Sequence, residues 1–156
     1  MPIEIKEMIR DALIFSEVGI RITDKPFVYL DKNYVRIFGG ITGALVAANK
    51  IKGRSKVIQL RGETKGISEE AVEAIEAGAN ILMVDTGNLG DVEAVVDELN
   101  IRKLRNRVKI AFAGGVKLKD IRKLREKDID IVEIGREIID APLLDMTLDV
   151  VEVQNR

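Results

Sequence analysis

The 156-residue sequence predicts an α/β domain, with about six mostly parallel strands under covering helices. Two features predict it. Short segments such as "KVIQL", "NILMVD" and "DIVEIG" are apolar at consecutive positions, as strands buried on both faces are. Between them lie amphipathic stretches of roughly ten residues, long enough for the crossover helices that parallel neighbours require. An open doubly wound sheet and a (β/α) barrel both satisfy this pattern, and periodicity does not separate them.

The elements follow in order. "IEIKEMIRDALI" puts Ile5, Met8, Ile9 and Ala12 on one helical stripe, which predicts an N-terminal helix over about 3–13. "PFVYLD" reads as a strand opened by Pro26. "GGITGALVAANKIKG" reads as a helix carrying Ile41, Leu45 and Ala48 and stopped at Gly53. After the strand "KVIQL" comes the helix "ISEEAVEAIEAG". Ser68 is its expected cap, acidic residues fill its first turn, and Gly78 ends it. "NILMVD" is the next strand and "LGDVEAVVDELN" the next helix. "RVKIAFAGG", the helix "LKDIRKLREKD" and the strand "DIVEIG" follow. "LLDMTLDVVEV" would close the domain as a strand, or as a helix and a strand. No linker, low-complexity segment or repeat divides the chain, so 1–156 is expected to be a single domain.

Composition excludes whole classes of chemistry. There is no cysteine, hence no disulfide, thiolate nucleophile or thiolate metal site. There is no histidine either, which removes imidazole bases and His-ligated metals. Chemistry falls to carboxylates, lysines, arginines, hydroxyls and the backbone. No apolar run approaches the roughly 20 residues a membrane helix needs, and the charged N-terminus is unlike a signal peptide. A cytoplasmic address is the expectation. The net charge of −1 and the 4% aromatic content disfavour nucleic acid as a partner, despite the basic run "RKLRNRVK". That run reads as the exposed end of a helix.

If the sheet is a barrel, function collects at the carboxyl ends of its strands. Those ends read Asp31/Lys32/Asn33, Arg61/Gly62/Glu63, Asp85/Thr86/Gly87/Asn88, Ala113/Gly114/Gly115 and Gly135/Arg136. Glycine lets backbone N–H groups approach a ligand, and a following helix start adds a positive dipole end. Gly114, Gly115 and Gly135 could therefore hold a phosphate, with Arg136 as a charged fork. The plain alternative is that Gly114 and Gly115 only turn the chain. Asp85 could hold ribose hydroxyls or a metal ion, or cap the next helix. Asp31 and Lys32 could be catalytic or simply solvated.

Three segments, "EAVEAIEAGANILMVDTGN", "RVKIAFAGGVKLKDIRKL" and "DIVEIGREIIDAPLLDMTLDV", resemble the C-terminal barrel domain of quinolinate phosphoribosyltransferase, also called nicotinate-nucleotide pyrophosphorylase. The family has a helix ending Ala-Gly-Ala-Asp, a strand ending Met-Leu-Asp-Asn, a strand ending Ser-Gly-Gly, and a glycine strand end leading to Ala-Pro. Upstream, "VYLDKNYVRIFGGITGALVAA" is similar to its Leu-Ile-Lys-Asp-Asn-His strand and following helix. The resemblance implies an incomplete (β/α) barrel. It implies that Gly114, Gly115 and Gly135 grip the phosphate of a phosphoribosyl compound or nucleotide. It also implies that Asp85 lies on the ribose and magnesium side.

The departures are as specific. The chain opens in what would be the family's first barrel helix. The expectation is therefore a stand-alone relative without the family's N-terminal domain or its Arg-Lys-Thr-Thr-Pro strand. The His-Arg pair reduces at best to Arg21, and the histidine of Lys-Asp-Asn-His is lost. The acidic pair of the next strand survives as Glu63 if one residue is inserted. Ala111 and Ala113 stand where the family has glutamate and serine. The expected function is binding of a phosphorylated small molecule without competent quinolinate phosphoribosyl transfer. A divergent pentosyl or phosphoribosyl transferase or lyase, working through Lys32, Glu63 and Asp85, is one alternative. A non-catalytic interaction subunit is another. A barrel lacking its first strand leaves a gap that a partner or the N-terminal helix would cover, so a homo-oligomer is expected.

Overall fold

The computed structural model describes residues 3–139. Its centre is a five-stranded parallel sheet: β1 (Phe27–Leu30), β2 (Ser55–Leu60), β3 (Ile81–Asp85), β4 (Lys109–Ala113) and β5 (Ile131–Val132). The strands lie in chain order, β1-β2-β3-β4-β5. A doubly wound sheet reverses its order partway; this one does not. Right-handed crossovers that always step the same way deposit every helix on one side and curl the sheet toward the other. The incomplete barrel is therefore the architecture. The segment expected to close it, 143–153, lies outside the described residues.

The helices are α1 (Ile3–Phe15), α2 (Lys32–Ile37), α3 (Ile41–Ala48), α4 (Ile67–Glu76), α5 (Leu89–Ile101), α6 (Ile121–Arg125) and α7 (Arg136–Ile139). Alternate strand residues divide between two apolar clusters, as a period of two requires. Leu30, Ile58, Leu82 and Ile110 face outward and pack with Leu45 of α3, Ile75 of α4 and Leu99 of α5. Val57, Ile81, Met83, Ala111 and Ala113 face inward, joined by Ile22, Phe27, Tyr29 and Ile131. Both faces are buried, which is why the strands read as unbroken apolar runs.

Several expectations need correction. The helix read from Gly39 to Gly53 is preceded by α2, which the sequence reading missed. Asp31 caps α2, its carboxylate accepting from the Asn33 and Tyr34 amides. Gly39 and Gly40, both at positive φ, then separate α2 from α3. Ser68 does not cap α4; Gly66 holds that position with no side-chain cap, and Ser68 lies one residue inside the first turn. Asn88, not Asp85, caps α5. In "RKLRNRVK" only part of the run is a solvated helix end. The Arg105 guanidinium is largely buried and binds Asp128 at 2.9 Å and Asp130 at 2.8 Å, tying the approach to β4 to the start of β5. In α1 the expected stripe is not the packed one. Met8 is 71% exposed, and Ile9 and Leu13 are the half-buried residues.

Candidate functional site

The inner face changes character along the strands. Pairing sets Gln59 beside Met83 and Ala111 beside Ile131; one pleat further on, Arg61, Asp85, Ala113 and Glu133 fall into one row. Apolar residues thus line the lower part of the inner face, and charged ones ring its carboxyl end. This is where a barrel carries its chemistry.

Asp85 is the hub of that ring. Its Oδ2 accepts a hydrogen bond from the Gln59 amide and lies 3.5 Å from the Arg61 guanidinium, which also donates to the Asp85 carbonyl at 2.8 Å. Gln59 is itself nearly buried, and its Oε1 accepts from the Lys32 amide at 2.7 Å, joining β1 to β3. Burial and the Asp85 charge raise the Glu133 carboxyl above its usual range. Burial first, then Glu133, Asp85 and Asp31, pushes the Tyr29 phenol up to about 12. The Asp85 charge thus reaches Glu133 across the top of the sheet.

A fully buried carboxylate, Glu70 of α4, shapes the adjoining loop. It accepts from the amides of Arg61 (3.1 Å), Gly62 (2.8 Å) and Thr64 (3.0 Å) and from the Thr64 hydroxyl. Those charge-assisted bonds hold the backbone from which Arg61 reaches Asp85.

The glycine pair splits into two roles. Gly114 has φ +105°, and a Cβ there would meet the Gly87 nitrogen at 2.3 Å, so two loops touch backbone to backbone. The Gly87 amide donates to the Ala113 carbonyl at 3.0 Å, which locks this contact. Gly115 has φ +82°, yet nothing lies within 4 Å of its missing Cβ, and the same openness holds at Gly135. Among the described residues the amides of Gly114, Gly115 and Gly135 have no internal acceptor. The expected helix dipole is not there: only a 3-10 turn and the five-residue α6 follow Gly115. Whatever the loop offers an anion comes from its own amides.

These elements open on a cavity of about 880 Å³. Asp85, Gly114, Gly115, Gly135 and Arg136 all line it, and so does Glu133. Its other wall is α1 and the segment after it, through Lys6, Ile9, Arg10, Leu13 and Arg21. Two predicted residues lie elsewhere. Lys32 is exposed at the start of α2, and Glu63 forms a bidentate pair with Arg36 at 2.7 and 2.9 Å. Neither lines the cavity. Sequence reading did not single out Glu133, Lys6 and Arg10, which line the cavity, or Gln59, which donates to Asp85. Gln59 and Glu133 lie at inward-facing strand positions, a signal the period of two carries once register is known.

A magnesium ion is compatible with this donor set. Asp85 Oδ1 has no hydrogen-bond partner among the described residues, and a dication would offset the Asp85 charge that, after burial, raises Glu133. The described residues hold no cluster of three or more carboxylates, so such an ion would depend on ligand phosphate oxygens as well.

The chain matches the family "quinolinate phosphoribosyl transferase, C-terminal domain" over residues 21–149. It is 33% identical over 112 residues to a probable nicotinate-nucleotide pyrophosphorylase (carboxylating) of Archaeoglobus fulgidus, covering 72% of this chain and 43% of that protein. A nicotinate-nucleotide pyrophosphorylase (carboxylating) of Dictyostelium discoideum is 28% identical over 123 residues, 79% of this chain and 39% of the relative. The chain spans about two fifths of the length of these relatives. Among solved structures, a NadC deletion mutant in a cubic space group superposes with a TM-score of 0.70 at 19% identity, over 87% of this chain and 45% of that one. NadC from Streptococcus pyogenes gives 0.60 at 21%, over 76% and 39%. At those identities the likeness is one of fold.

Proposed function

Because the chain belongs to the quinolinate phosphoribosyltransferase C-terminal-domain family, we propose that it binds a phosphorylated small molecule, a phosphoribosyl compound or a nucleotide, in the cavity at the strand ends. The observation that carries this reading is the convergence of Gly115, Gly135 and Arg136 on one cavity with Asp85. Amides without internal acceptors hold phosphate oxygens, and Arg136 adds positive charge to the same loops. Gly114 sets the turn that aims them. Asp85 accepts from sugar hydroxyls, or with Glu133 shares a magnesium ion that would neutralise phosphate charge. The cavity volume suits a ligand of nucleotide size.

On this reading the chain is not itself a competent quinolinate phosphoribosyltransferase. Lys32 and Glu63 lie outside the cavity, and Ala111 and Ala113 offer methyl groups where the family has glutamate and serine. A cation-like ribosyl transition state needs placed charge, which those positions do not supply. Calorimetry with ribose 5-phosphate and with nicotinate mononucleotide tests the reading. Binding that Gly115→Asp abolishes is expected; no binding at millimolar ligand overturns it.

A second reading, a divergent pentosyl transferase or lyase, draws support from Glu133. A carboxyl raised by burial and by a neighbouring carboxylate is the form a general acid takes. Its working groups would then be Asp85 and Glu133 rather than Lys32 and Glu63. Release of diphosphate or of free base from a phosphoribosyl substrate, lost in Glu133→Gln, is its test. Self-association is proposed alongside either reading, because α1 leaves Ile3, Met8 and Phe15 exposed on its surface. A monomer by light scattering at all practical concentrations contradicts it. No described helix is long and apolar enough to cross a membrane.

A further inference from the structure

The strand ends opposite the glycine loops gather positive charge. Residues 50–56, "KIKGRSK", lead into β2, and residues 102–109, "RKLRNRVK", lead into β4. Together they hold nine of the chain's 25 lysines and arginines and none of its 26 acidic residues. The fold brings the two segments to one place. Asn80, just before β3, accepts from the Lys56 amide through its side chain at 2.8 Å and from the Lys109 amide through its carbonyl at 3.0 Å. Because β3 lies between β2 and β4, the segments enter the sheet about 10 Å apart. Arg102 is tied to Glu98, and Arg105 to Asp128 and Asp130; Glu76, at the end of α4, also acts on Arg102. Lys50, Lys52, Arg54, Lys103, Arg107 and Lys109 stand exposed around them.

Two further features mark this end. Each basic segment carries an exposed isoleucine: Ile51, 45% exposed, between Lys50 and Lys52, and Ile101, 75% exposed, just before Arg102 and Lys103. The second feature is backbone strain. Helices α4 and α5 close on the same pair of hydrogen bonds, Gly78 to Ile75 and Ala79 to Ala74 in one, Lys103 to Asn100 and Leu104 to Leu99 in the other. That closure needs a left-handed residue, ordinarily glycine. Gly78 supplies it in α4, whereas α5 holds Lys103 there at φ +59°. Among the described residues only Glu17 and Lys103 take positive φ without being glycine. A lysine is thus kept in the patch at a conformational cost.

We propose that this amino-end face docks on an anionic phospholipid bilayer. The exposed lysines and arginines meet headgroup phosphates, and Ile51 and Ile101 enter the boundary with the acyl chains. A nucleic acid would answer the cations alone. Neither segment has an aromatic residue to stack on bases, and a phosphate backbone offers nothing to isoleucine. A domain docked this way keeps its glycine loops at the end directed away from the bilayer. The inference is independent of what the cavity binds.

The test sediments the full chain with vesicles of phosphatidylcholine alone and of phosphatidylcholine and phosphatidylglycerol in equal parts. Binding is expected to the mixed vesicles only, and high salt should weaken it. Lys52→Gln/Lys103→Gln should weaken it at least about ten-fold, the scale of two basic residues at a charged surface. Lys117→Gln/Lys119→Gln removes the same charge near the other strand ends and should change it less than about two-fold. All four side chains are exposed, so both variants keep their fold. Ile51→Ser/Ile101→Ser should weaken binding several-fold with the charge intact. Lys103→Gly should raise the urea midpoint while lowering vesicle binding, a split that a purely structural lysine does not give. No binding to mixed vesicles, an equal loss in the two lysine variants, or binding unmoved in the isoleucine variant overturns the proposal. Tighter binding to polyuridine than to the mixed vesicles also overturns it, in favour of a nucleic acid.

Discussion

The two faces of the sheet carry opposite assignments. Outward, Leu30, Ile58, Leu82 and Ile110 are covered by α3, α4 and α5 in a dry, continuous core. Inward, a smaller apolar cluster fills only the lower part of the curve, and a ring of charged side chains stands above it beside an open cavity. The same strands build both, one residue apart. Stability therefore resides on the outer face and, on the proposed reading, ligand recognition on the inner one, so substitutions one position apart should separate the two properties.

The largest expected effect is on the outer face. Leu82 is fully buried, and Leu82→Ala should cost about 4 kcal/mol in urea unfolding, through lost transfer free energy and the cavity left behind. Any folded fraction should bind ligand normally. Next comes the glycine pair, which crosses from one assignment to the other within two residues. Gly114→Ala should cost about 3 kcal/mol, since a Cβ there collides with the Gly87 backbone at a positive φ. Gly115→Ala should cost only about 1 kcal/mol, because φ alone opposes it. Equal costs at the two positions would erase the distinction between the packing glycine and the open one.

A smaller effect concerns pH. Glu133 has its carboxyl raised from 4.5 in the fold, chiefly by burial and then by Asp85. It binds its proton more tightly folded than unfolded, so stability falls as pH rises from about 4.5 through the raised value and then levels off. Glu133→Gln should flatten that decline in urea melts across the acid-to-neutral range. A decline unchanged in the variant would mean that Glu133 is not its source. The smallest effect is spectroscopic. Tyr29 should ionise near 12 by ultraviolet titration, and Asp85→Asn should bring it down, since Asp85 is one of the three carboxylates that hold it up.

Much of the fold was legible because both sheet faces are buried: consecutive apolar residues betrayed each strand, and glycines such as Gly78 marked helix ends. Short elements escaped. The six-residue α2 has no full amphipathic period to read, so Asp31 looked like a free charge when it is a cap. In α1 two overlapping stripes compete, and only tertiary packing selects Ile9 and Leu13 over Ile5 and Met8. Gly114, Gly115 and Gly135 stood out at strand ends, but the sequence left open whether they turn the chain or face a ligand; Gly114 packs on Gly87, and Gly115 and Gly135 stay open. The side chains around them were not legible. Glu63 and Glu133 are equally acidic in sequence, but Arg36 draws one away from the cavity and the strand pleat turns the other into it. Arg105 and Arg107 are two residues apart in one basic run, yet only Arg105 finds carboxylates to bind. Such divisions depend on long-range register, which local spacing does not encode.

The most direct measurement follows the backbone amides of Gly115 and Gly135 by proton–nitrogen NMR as ribose 5-phosphate is added. The account predicts saturable shifts at both amides and at Arg136, with the outer-face amides of α3 to α5 unmoved. Resonances at Gly115 and Gly135 that stay fixed while others shift would place the ligand elsewhere and contradict the inner-face phosphate site.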